Sequence, residues 1–115
     1  MAGNPIAIFS APQVVVDGAT QSWDASGGGY FVWTLTATRT MSTPTNPPPG
    51  AVIVIDVVQD ATGSRLVTWP TNFSWPADTA PTLTITAAKC DSFLGVYQSA
   101  TGKWRMMTLG LNRTY

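Results

Sequence analysis

The chain has 115 residues, of which 44% are apolar and only 10% charged, and its six basic and six acidic residues cancel. That length supports one hydrophobic core and not two, and a neutral chain offers no basic face to neutralise nucleic-acid phosphates. The absence of histidine beside a single cysteine removes Ser-His-Asp and Cys-His catalysis and argues against a zinc site.

The N-terminal stretch, Met1-Ala2-Gly3-Asn4-Pro5, lacks the basic start and apolar run of a signal peptide. Residues 1–12 are expected to form an edge strand or an arm. Ile6, Ile8 and Phe9 are its candidate contacts with a neighbouring subunit or other partner surface, because three large apolar side chains are poor company for water. Residues 13–115 are expected to form a single domain. Weak strands are predicted at Gln13–Val16 and, further on, at Arg65–Trp69.

From Tyr30 to Thr38 the pattern has period two. Phe31, Trp33, Leu35 and Ala37 fall on one face, and Thr34, Thr36 and Thr38 on the other, as in a half-buried strand. Ala51–Gln59 is apolar on both faces and predicts a central strand, interrupted by Asp56. That carboxylate is expected either to form a structural ion pair, with Arg39, Arg65 or Arg105, which is the preferred reading, or to mark one polar face of the strand. Thr82–Thr86 alternates again around Leu83 and Ile85. Ser92–Gln98 and Lys103–Leu109 predict a hairpin closed by Ser99-Ala100-Thr101-Gly102. Prolines and glycines concentrate between these runs, at Thr43–Gly50 and Trp75–Pro81 above all, where they cost no ladder hydrogen bonds. Glu is absent and Lys scarce, which disfavours exposed helices. The expected fold is all-β, an antiparallel β-sandwich of jelly-roll-like or barrel-like form with no substantial helix. No apolar run reaches the length of a membrane span.

Chemistry is sparse. Asp17, Asp24, Asp60, Asp78 and Asp91 stand mostly beside turn residues, where Asp bonds nearby backbone. Ser26-Gly27-Gly28-Gly29 lacks the Lys and the βαβ setting of a phosphate loop. Cys90 has no base to activate it. No catalytic residue, cofactor or metal is expected. Trp69-Pro70 and Trp75-Pro76 form a local echo. Their rings are read as plugs of a sandwich end or subunit interface, with stacking on a sugar ring as the alternative role of Trp69 and Trp75.

The segment Asp60-Ala61-Thr62-Gly63-Ser64-Arg65-Leu66-Val67-Thr68-Trp69-Pro70 continues through Asn72-Phe73-Ser74-Trp75-Pro76 and Thr79-Ala80-Pro81-Thr82-Leu83-Thr84 to Asp91, Phe93 and Gly102-Lys103-Trp104. With Leu35–Met41 and Asn46–Gly50 upstream, it resembles a module of tailed-bacteriophage virion proteins found in tail fibres, head fibres and capsid decorations. The resemblance spans about Asp17 to Met107. It departs at Trp75-Pro76-Ala77-Asp78, where a Gly-rich turn is usual. It implies a compact, non-catalytic β-sandwich, often trimeric, in a virion assembled in the host cytoplasm. The short chain points to a capsid decoration (cement) protein, a homotrimer on the major capsid protein. The alternative is a tail-fibre or head-fibre module that binds host-surface glycans.

Overall fold

The computed structural model describes residues 13–21, 23–26 and 29–115. The arm expected over residues 1–12, with Ile6, Ile8 and Phe9, lies outside the described residues. Within them the chain is nearly all β, as its threonine-rich alternation predicts. Helical structure is confined to a single 3-10 turn at Pro76–Asp78.

The strands alternate between two sheets. β1 (Gln13–Val15), β3 (Tyr30–Leu35) and β5 (Val52–Gln59) lie side by side in the larger sheet. β2 (Thr20–Gln21), β4 (Arg39–Met41) and β6 (Val67–Thr68) line up in the smaller one. All neighbours within these two triplets are parallel. Parallel neighbours need a crossover, usually a helix. Here the strand in the opposite sheet is the crossover, so the chain winds through three coils. β7 (Phe73–Ser74), β8 (Lys89–Gln98) and β9 (Lys103–Thr114) complete the larger sheet in the order β1-β3-β5-β8-β9-β7.

The antiparallel expectation therefore holds for β5 with β8 and β8 with β9, while the coiled half of the molecule is parallel. Period-two alternation states which face a side chain takes. It carries no information on the direction of the neighbouring strand, which explains the difference. The predicted hairpin is present, with Thr101 and Gly102 N–H both donating to the Gln98 carbonyl and Gly102 at φ +69°. β9 runs on to Thr114, beyond the predicted end at Leu109.

Thr82–Thr86 is not a strand. At its centre, side chains replace a ladder: Thr84 N–H donates to Asp91 Oδ2 at 2.6 Å, and the Thr84 carbonyl accepts from Gln59 Nε2 at 2.9 Å. Leu83 is buried while Ile85 faces solvent, so without a pairing strand the predicted alternation is not kept past Leu83. The Trp75–Asp78 departure from the usual Gly-rich turn is also resolved. Ala77 and Asp78 take φ of +55° and +54°, the left-handed region that glycine enters freely.

The core gathers Trp23, Phe31, Trp33, Leu35, Ile53, Ile55, Val57, Phe93, Trp104 and Met106 with Met41 of the smaller sheet. Its tightest backbone approach is at Gly63, at φ +73°. A Cβ there would sit 2.6 Å from the Ile85 carbonyl oxygen and 2.8 Å from Ala87 N. Backbone atoms cannot yield as a flexible side chain does. Gly63→Ala should therefore cost about 2 kcal/mol or more. Gly50→Ala, at φ +74° with no atom near, should cost about 1 kcal/mol. Thermal melts of the two variants check this: equal losses would mean that only the dihedral matters.

Candidate functional site

Three clusters concentrate the polar and aromatic chemistry. The first is a corner stitch. Asp17 leaves the first coil and accepts from Trp33 Nε1 at 2.9 Å, Thr36 N at 3.0 Å and Thr36 Oγ1 at 2.5 Å, and it pairs with Arg39 through Nε and Nη2. These donors end β3 at Leu35, since the Thr36 N–H goes to a carboxylate and not to a neighbouring strand. Burial pushes the Asp17 carboxyl up, but the Arg39, Thr36 and Trp33 donors outweigh it and hold it well below the usual carboxylate range. Asp60 does related work two coils later, between β5 and β6. It accepts from Thr62 and Gly63 N–H and pairs with Arg65 at 3.0 Å. Arg65 first, then the Gly63 N–H, hold its carboxyl low.

The second cluster is aromatic. Trp75 is 7% exposed and packs edge-on to Trp69 and Phe93, with ring centroids 5.5 and 5.6 Å away. Trp69 is half-buried, stacked on Phe73 at 6.0 Å and set against Phe93 at 5.3 Å. These rings belong to the core and its margin. Trp75 is nearly covered by these neighbours, and what remains of it borders a small cavity with Thr71, Asp78 and Lys103.

The third cluster lies on the opposite, outward face of the larger sheet. Asp56 was expected to pair with an arginine. Instead Arg39 and Arg65 are held by Asp17 and Asp60, and Asp56 accepts from Tyr30 Oη and Ser92 Oγ, both at 2.6 Å. The register explains this. Ser92 is the direct cross-strand partner of Asp56, and Tyr30 pairs with Val54, two residues away on the same face. The bond to Asp56, helped by burial, pushes the Tyr30 phenol up to about 12. Cys90 lines the same region and is buried, which pushes its thiol up to about 11. It is therefore a protonated, unreactive group at neutral pH.

Around this cluster opens a cavity of about 440 Å³, within the size range of small-ligand sites. Arg113 and Tyr115 line it together with Val54 and Leu109. Sequence reasoning singled out Asp56 but neither Tyr30, Ser92 nor Arg113. Their shared signal is the period-two phase of four strands, which becomes readable only once the strand order is known. Asp91, read from the sequence with the turn aspartates, is instead 1% exposed on β8 and accepts from the more distant Thr84 and Asn112 N–H groups.

The protein-family model described as "Putative phage tail fibre C-terminal domain" matches residues 28–91, over half of the chain. Neither a curated protein nor a solved structure matches it.

Proposed function

The chain belongs to the phage tail fibre C-terminal domain family, and from that premise we propose that this virion component is a rigid, non-catalytic module at the host-facing end of a fibre, where it meets a surface glycan. The family match carries this reading. It favours the fibre over the capsid-decoration role, because the matched family describes a fibre domain.

Two features support the non-catalytic part. Asp17, Asp24, Asp56, Asp60 and Asp91 each accept hydrogen bonds that hold turns, corners or strands in place. Cys90 is buried and protonated, and no histidine exists to activate a nucleophile.

An exposed edge supports assembly with further copies of the chain, as a homotrimer. β7 pairs with β9 only at Trp104 and Arg105. Beyond that point the outer edge of β9 has no strand partner among the described residues, and Met107 and Leu111 remain 49% and 43% exposed. Long apolar edges of this kind are normally covered.

The position is tested by gold-labelled antibody against the protein on intact virions. Label at the fibre ends is the expected result. Label over the head would overturn the fibre reading in favour of decoration, with the major capsid protein as partner.

A further inference from the structure

We infer that the outward cavity around Asp56 is a binding site for a neutral, polyhydroxylated ligand, a sugar ring of a surface polysaccharide. The inference rests on the host-facing reading above and adds to it the place and the chemistry of recognition.

The argument is one of donors and acceptors. Tyr30 and Ser92 each own one hydroxyl proton, and both protons are committed to Asp56. The oxygens of all three groups therefore present only lone pairs to an occupant, so whatever enters must donate hydrogen bonds to that end of the site. Arg113, also lining the cavity, has donors only and forms no ion pair among the described residues. Whatever reaches it must accept.

A simple ammonium group satisfies the Asp56 end and is repelled at Arg113. A phosphate or carboxylate satisfies Arg113 and is repelled at Asp56. Hydroxyl groups donate and accept, so adjacent hydroxyls on one ring satisfy both ends without a net charge. The remaining lining suits the C–H faces of such a ring: Val54 and Leu109 are apolar, and Tyr115 is an aromatic ring 66% exposed. Asp56, at 9% exposure, is buried enough for its hydrogen bonds to be selective, because an unpaired polar group there is costly.

This location differs from the Trp69–Trp75 pair that the sequence singled out, which packs in the core and at its margin. It also explains why a tyrosine–serine–aspartate cluster interrupts an otherwise apolar sheet face, flanked by the buried Val32, Val58 and Cys90.

The test is amide NMR titration of the full chain with D-glucose, D-galactose, N-acetyl-D-glucosamine and L-rhamnose at millimolar concentrations. At least one sugar should perturb the Tyr30, Asp56, Ser92 and Arg113 amides. Arg113→Gln, a change at an exposed position, should weaken that binding roughly tenfold, and Ser92→Ala should do the same. Trp69→Phe should leave it unchanged. Silence with all four sugars, perturbation centred elsewhere, or tighter binding of inorganic phosphate would each overturn the site. A parallel assay of fluorescently labelled protein on host cells separates the two readings. Undiminished cell binding by Arg113→Gln would sink the cavity assignment and spare the host-facing role. Sugar binding at the cavity without any cell binding would do the reverse.

Discussion

Trp33→Ala is expected to lower the unfolding free energy by about 4 kcal/mol, a large share of the roughly 5–15 kcal/mol that holds a domain of this kind together. Trp33 is fully buried, and its ring meets Trp23 edge to face with centroids 5.4 Å apart. Truncation therefore removes apolar contact, leaves a cavity that the surrounding strands cannot close, and deletes a donor to Asp17. These losses can be separated. Trp33→Phe keeps most of the ring and loses the indole N–H, so it should cost about 1–2 kcal/mol. Urea unfolding followed by far-UV circular dichroism measures both. The slopes should match the parent, because the surface exposed on unfolding is nearly the same. A loss below about 1 kcal/mol for the alanine variant would show that the two sheets close around the gap and that this ring is no keystone.

The second large effect is acid sensitivity centred on Asp17. Its folded carboxyl is held below the unfolded value of about 3.9. The folded state then binds fewer protons than the unfolded state across the acid range. Stability from this group is fully present above about pH 4 and is lost progressively as pH falls towards the folded pKa. Asp17→Asn should cost about 2–3 kcal/mol at neutral pH, since the side chain is only 10% exposed and Arg39 only 19%. The variant should also be less sensitive to acid. The two stability curves should converge between about pH 4 and pH 2, with a residual slope from Asp60 and Asp24, whose carboxyls are also held low. Urea midpoints measured across that range decide the matter. Parallel curves would mean that the corner is held by packing alone.

These two residues mark the boundary of what could be read in advance. Trp33 was legible as core, because Phe31, Trp33 and Leu35 share one phase of a strand, and that phase is a local property. The role of Asp17 was not legible. Its partners lie 16 to 22 residues away, and they meet only because the second coil stacks on the first. Asp56 shows the same division. Its oddity in an apolar strand was visible, but its partners were misassigned to arginines, since choosing Tyr30 and Ser92 requires knowing that β5 sits between β3 and β8.

The sequence by itself determined an all-β chain, the inward side chains of the long paired strands, the hairpin at Ser99–Gly102, the phage-module character, and the lack of histidine-based chemistry. The phage-module character rests on a resemblance to known virion proteins; the others follow from composition, turn chemistry or a repeat of two residues, all of which act over a few neighbours. The tertiary structure alone decided that half of the sheet pairing is parallel and that Thr82–Thr86 is held by Asp91 and Gln59 instead of a ladder. It placed Trp75 in the core, and it brought Tyr30, Asp56, Ser92 and Arg113 from four strands to one cavity. Those outcomes depend on which strand lies beside which, and alternation records only the face on which a side chain lies.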